Sequence, residues 1–369
     1  MKRTIGLAVL LVILYLYAIQ SGFVERSNDT VITEESYPTE IVEVAEVVET
    51  APSPQLRTPP PQKALLNTYH IFQTFNNCGP AAMSMALSYY GINESQQTLG
   101  QKLRPYQNQL GDNDDKSVTL EEIAELSKEY GLTPFRRPNG TIETIEKFIS
   151  YDVPVLARTR LKPDDDIGHY RVIKGYSQNT QEILQDDSLQ GQNLRYSYKD
   201  FNELWKFYGY EYLVLVPKDK IEVALLILGE DSNEQTSWER AVKNYLVELS
   251  DDPDDVYTRF NLSIALYNTG DYARSVEEFE KIEHQLSFRT LWYQIEPIQA
   301  YFELGQYDRV FEISDKILSN QNRAFSELYL LRGNIYLNQN KPDLARAEFE
   351  KAVLCNSSMV EAKEALSVL

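Results

Sequence analysis

Residues Gln73 to Gly91 read QTFNNCGPAAMSMALSYYG. Asn76 and Asn77 favour a loop. Gly79 and Pro80 favour a first helical turn, because glycine permits close backbone approach and proline lacks an N–H that such a turn leaves unpaired anyway. Ala81 to Tyr90 continue the helix and Gly91 ends it. Cys78 therefore stands where loop becomes helix, at the positive end of the dipole, which favours thiolate over thiol. A cysteine serving only as a small core hydrophobe needs neither Asn-Asn before it nor Gly-Pro after it. The setting is that of a nucleophile, and Gln73 is placed to join the Cys78 backbone N–H in an oxyanion hole.

Composition narrows the chemistry. The chain has 369 residues, 43% of them hydrophobic, which is enough for about two domains with cores of their own. A formal net charge of -19 argues against nucleic acid as a partner, since phosphate binding requires clustered Lys and Arg. Two distant cysteines make no disulfide framework, and three histidines leave little for a metal site, so no metal or cofactor is expected.

Working outward from Cys78, the N-terminal side holds two non-catalytic segments. Lys2 and Arg3 precede an uncharged run, Thr4 to Val24, centred on LAVLLVILYLYAI. Residues 1–24 read as a membrane anchor or a secretory signal, either of which sends the rest of the chain across the membrane. No small-x-small cleavage site follows, so the expectation is a single uncleaved membrane helix with an extracytoplasmic bulk. Residues 25–63 are rich in Glu, Thr, Val and Pro without periodicity and read as a disordered stalk.

On the C-terminal side, residues 64–217 show helix signals first and strand signals later, an α+β order. Helices are expected over Leu120 to Tyr130, with Thr119 and Glu122 at capping-box spacing, and over Thr141 to Ser150. Strands are expected at Pro154 to Thr159, His169 to Tyr176, Ile183 to Gln185 and Tyr210 to Val216. A tight turn near Ser177 and Gln178 sets His169 opposite Asp186. Neighbouring strand residues face opposite sides, so a slip of one residue substitutes Asp187. Cys78, His169 and Asp186 then supply nucleophile, general base and the carboxylate that fixes the base's tautomer. His70 and His284 read as ordinary polar residues.

The segments QTFNNCGPAAMSMALSYYG, TLEEIAELSKEYGL, YDVPVLAR, GHYRVIKGY, ILQDDSLQG and YKDFNELW, in that order, resemble the stand-alone relatives of the bacteriocin-processing, double-glycine cysteine peptidases. The resemblance spans about Leu65 to Pro217. It implies a papain-like fold with Gln73 as oxyanion donor, Cys78 as nucleophile, His169 as base and Asp186 as orienting carboxylate. The family usually has Asp-Pro where this chain has Asp186-Asp187. No GxxxxGK[ST] loop occurs, so the chain is not the exporter that often carries such domains.

Residues 218–369 repeat. The segments NTGDY from Asn268, ELGQY from Glu303 and NQNKP from Asn338 recur every 35 residues, with Ala265, Ala300 and Ile335 in register, as are Phe279, Ser314 and Phe349. They resemble tetratricopeptide repeats, clearest in the last unit at Gly333, Ala345, Phe349 and Ala352. Trp238 to Leu249 reads as half of an earlier unit and Val360 to Leu369 as a cap. Such solenoids expose a surface for a peptide or a partner protein. The expectation is a membrane-tethered cysteine peptidase whose repeats bind substrate or partner. The competing readings are a non-catalytic peptide-binding scaffold and an amidase or acyl transferase using the same triad.

Overall fold

The structure is a computed structural model and describes residues 56–103, 118–319 and 322–369. The expected membrane helix and nearly all of the stalk lie outside these residues. Among the described residues no helix is long and apolar enough to cross a membrane.

The peptidase-like region is built on one antiparallel sheet. Its strands are β1 (Gln62–Ala64), β2 (Thr133–Arg137), β3 (Val155–Arg160), β4 (Gly168–Ser177), β5 (Glu182–Asp187), β6 (Gly191–Ser197) and β7 (Tyr212–Val216). Their order is β2-β7-β3-β4-β5-β6, with β1 pairing the far end of β4. Helix α1 (Cys78–Ser88) buries Met83, Met85 and Leu87 against Tyr170 and Val172 of β4, together with α2 (Gln96–Leu103) and α3 (Leu120–Ser127). The opposite sheet face is covered by α4 (Ile142–Ser150) and α5 (Tyr198–Lys206), through Phe148, Ile149, Phe201 and Trp205. Each buried side chain of this size contributes about 2 kcal/mol, so the sheet is held from both sides. The capping box of Thr119 and Glu122 forms as its spacing predicts, and Gly131 closes that turn at φ +74°.

The last expected stalk residues belong to the domain. Prolines donate no hydrogen bond, but their carbonyls accept: Gln178 N–H donates to Pro61 and the Tyr176 hydroxyl to Pro60. The prolines therefore lead into β1, an edge position where they are tolerated.

The repeats follow as α6 (Ile221–Leu228), α7 (Glu234–Asp251) and the antiparallel pairs α8/α9 (Val256–Asn268, Tyr272–Glu280), α10/α11 (Glu296–Glu303, Tyr307–Ser319) and α12/α13 (Ser326–Asn338, Pro342–Cys355), then α14 (Val360–Val368). Ala265, Ala300, Ile335, Phe279, Ser314 and Phe349 are all fully buried, which is why the 35-residue period carries them. A Cβ at Gly333 would lie 2.4 Å from the Phe349 ring, so that position requires glycine. Residues 55–369 form one compact unit, with the repeats packed on the peptidase-like region. Arg289 grips Asp166 through both its backbone N–H and its guanidinium, and Asn261 donates to the Lys206 carbonyl across the same boundary.

Candidate active site

Cys78 opens α1, and its loop is held from the next helix. The buried Gln96 accepts from Thr74 N–H at 2.9 Å and donates to the Phe72 carbonyl at 2.7 Å, while Asn77 Nδ2 donates to the Gln96 carbonyl at 3.1 Å. Asn76 takes φ +53°, a left-handed conformation that asparagine tolerates. Gln73 is fixed from the opposite side: its N–H donates to the Ser188 carbonyl, and Ser188 Oγ donates to its Oε1, each at 2.8 Å. With that oxygen engaged as acceptor, the amide is oriented to donate through Nε2.

His169 sits at the start of β4, where it is 2% exposed. Its Nε2–H donates to Asp187 Oδ1 at 2.8 Å, and the ring also hydrogen-bonds Cys78. Nδ1 is the nitrogen left for the sulfur. Burial alone would lower the His169 pKa, but the hydrogen bonds to Asp187 and Cys78 and their charges raise it to about 9. The preceding Gly168 has no room for a side chain, because a Cβ there would fall 2.4 Å from the Tyr208 hydroxyl.

The structure brings Gln73, Cys78 and His169 to one place but not Asp186. The β4–β5 pairing sets Arg171 opposite Asp187 and Val172 opposite Asp186, rather than His169 opposite Asp186. The connection turns later than expected, after Ser177 pairs Glu182, with Gln181 at φ +53°, and a bulge falls between Ile173 and Gly175. The resulting offset is odd, and an odd offset exchanges the faces of the strand. Asp186 accordingly turns to Lys174, 2.6 Å away in a buried ion pair, and accepts from Asn193 N–H. Asp187 is the carboxylate beside His169.

Three side chains at this site are not singled out by sequence. Arg171, fully buried, donates Nη1 to Asp187 Oδ2 at 2.6 Å and Nε to Thr159. The Leu189 and Gln190 N–H groups donate to Asp187 Oδ1. Burial pushes the Asp187 pKa up, but His169, Arg171 and the Gln190 N–H outweigh it and hold it at about 2. Ser188 orients Gln73. His70, expected to be an ordinary polar residue, has Nε2 2.9 Å from the Asp187 carbonyl oxygen. Alternation along β4 and β5 places Arg171 on one face with His169, and that is the signal that could have found it. Among the described residues no cluster of three His, Cys, Asp or Glu could hold a metal ion.

Residues 55–213 match the Peptidase_C39 like family, and residues 326–356 match the tetratricopeptide repeat. The chain thus carries a C39-like peptidase domain followed by a helical tetratricopeptide region. Three solved structures are similar to it. A protein described as a C39-like peptidase from Bacillus anthracis is 18% identical, covering 42% of this chain and 98% of that one, with a TM-score of 0.36. The peptidase domain of Streptococcus ComA, a bifunctional ABC transporter of a quorum-sensing pathway, is 20% identical, covering 40% and 97%, with a TM-score of 0.32. A double-glycine motif protease from an AMS/PCAT transporter, in complex with its leader peptide, is 17% identical, covering 41% and 91%, with a TM-score of 0.31. No curated protein matches the chain.

Proposed function

We propose that this chain is a cysteine peptidase acting through Cys78, His169 and Asp187, with Gln73 as oxyanion donor. The observation that carries the reading is the hydrogen-bonded series from Cys78 to His169 to Asp187 at the head of a helix. The protonated imidazole favours the thiolate form of its partner. The Cys78 sulfur attacks a peptide carbonyl carbon, and the carbonyl oxygen takes the negative charge, met by Gln73 Nε2–H and the Cys78 N–H. His169 then gives its proton to the leaving amine, which departs and leaves a thioester. Water, losing a proton to His169, attacks the thioester, and the acid is released as the thiolate re-forms. Asp187, kept ionised by His169 itself and by Arg171, holds the ring in the tautomer each step needs.

Residues 1–24 would hold this domain outside the cytoplasm, a reading supported by the apolar run behind Lys2 and Arg3, and the repeats would present a surface to a protein partner or substrate.

The test is iodoacetamide alkylation of Cys78 as a function of pH, with Cys355→Ser so that one thiol remains. An ordinary thiol follows a pKa of about 8.5. His169 keeps its proton up to about pH 9, so the ion pair spans neutral pH and alkylation should persist well below 7. The raised His169 pKa also stabilises the fold, fully below its ordinary 6.5, and this contribution is lost as pH rises through about 9. Reactivity that follows the ordinary thiol curve, or that survives His169→Ala unchanged, would refute the assignment.

A further inference from the structure

Between the peptidase domain and the repeats lies a cavity of about 830 Å³. Among the described residues that line it are eight glutamates against three basic residues. Of the basic residues, Lys102 pairs with Glu129 and Arg136 with Glu121 and Glu211, whereas Arg158 lies between the rings of Tyr208 and Tyr293 at 4.6 and 5.3 Å, donates Nη2 to the Tyr293 carbonyl and keeps a buried Nε without a partner, for which a carbonyl of a bound peptide is an acceptor. Glutamates alone make no site. The decisive feature is a set of unused acceptors on the repeat side of the wall. Gln294 is 7% exposed and Asn261 is 2% exposed, yet Gln294 Oε1 and Asn261 Oδ1 have no hydrogen-bond partner. Glu296 Oε2, at the start of α10, has none either.

A buried acceptor without a donor costs about 1–3 kcal/mol, so three of them on one cavity point to an occupant rich in N–H. A positive occupant also answers the excess of carboxylates. Burial, with the Glu211 charge, raises the Glu296 pKa to about 7 although Arg136 and Arg158 act to lower it, and a further cation beside it would favour the ionised form. Trp238 and Trp292 line the same space, each with an arginine of the chain over its ring, Arg136 at 5.8 Å and Arg289 at 5.4 Å. The cavity adjoins the reaction centre, because Tyr293 lines it and its ring packs against Gly168, the residue before His169, where a Cβ would lie 3.2 Å from it.

We propose that this cavity binds a lysine or arginine side chain of the peptide substrate, its cationic head paired with Glu296 and donating to Gln294 and Asn261. The word substrate rests on the peptidase reading; the cation site does not. The repeats would then set which peptides reach Cys78.

Binding is measured on the purified full chain carrying Cys78→Ala, so that cleavage plays no part. Two of its three tryptophans, Trp238 and Trp292, report from the cavity. The probes are the peptide Ac-GSGRGSG-amide, its twin with citrulline in place of arginine, and spermidine as a free cation. The arginine peptide should bind at least about tenfold more tightly than the citrulline one, the value of one charged hydrogen bond, and Glu296→Gln should abolish the difference. Because Glu296 is already biased toward its neutral form, that substitution should fold. Gln294→Met, which keeps charge and volume, should weaken the arginine peptide several-fold. Equal affinity for both peptides, or affinity unchanged in both variants, would overturn the cation site. Tighter binding of spermidine than of the arginine peptide would overturn its assignment to substrate. Failure of the peptidase reading would appear separately, in the alkylation profile of Cys78.

Discussion

Asp186 and Asp187 are adjacent, both buried, both ion-paired, and differ only in which face of the strand they occupy. That difference separates an ion pair that only neutralises the interior from one that also meets His169. Asp186 neutralises Lys174 in the interior, and removing one partner of such a pair leaves a buried charge uncompensated. Asp186→Asn should therefore lower unfolding free energy by about 3 kcal/mol while leaving the turnover number nearly intact. Asp187→Asn should lose stability as well, because it leaves the buried Arg171 unpaired, but it should in addition cut the turnover number by about 1,000-fold or more, because the His169 ring loses the acceptor that sets its tautomer. Chemical denaturation and single-turnover assays on the two variants separate the effects, and a turnover loss in Asp186→Asn as large as in Asp187→Asn would contradict the register argument. Sequence alone left this pair open, since a strand's alternation is visible but its offset against the neighbouring strand is not.

At the scale of elements, Cys78 depends on α2 as much as on α1. The Gln96 side chain spans Phe72 and Thr74, and its backbone carbonyl receives Asn77, so one residue ties down the loop that carries both Gln73 and Cys78. Gln96→Leu keeps the volume but leaves the Thr74 N–H and Phe72 carbonyl without partners. The expected cost is about 2–4 kcal/mol of stability. A displacement of the nucleophile of about 1 Å is worth about 100-fold in rate, so the turnover number should fall by that order while peptide affinity changes little. A variant that loses affinity and keeps its turnover number would place Gln96 in binding instead. Most helices here were legible from their ends: Thr119 with Glu122, Thr141, Gly91 and Gly131 are local signals satisfied within one turn. Strands β2 and β6 went unread: β2 carries Pro134 and paired arginines, and β6 is a half-exposed edge strand whose pattern reads as loop.

At the scale of the molecule, the repeats close one side of the catalytic strand. Asp166, three residues before His169, is held by Arg289, and Tyr245 donates to the Gly209 carbonyl from α7. Polar contacts of this kind, spread along the boundary, couple the two regions thermodynamically. The full chain should therefore unfold in a single calorimetric transition over residues 55–369, and Arg289→Ala should lower that one midpoint rather than split it. Two resolved transitions would show that the regions fold independently.

The sequence by itself determined the loop-to-helix setting of Cys78, the strand that His169 opens, the capped helices around them, and the repeat period. Each of these is written in residues close together in the chain: a cap, a glycine, an alternation, or a spacing of 35 positions. Only the tertiary structure decided which aspartate meets His169, that Arg171 stands behind it, and that the repeats enclose a cavity beside the site. Those facts depend on a turn length, a bulge and the packing of one region on another, and each joins residues far apart in the chain, where no local spacing records the contact.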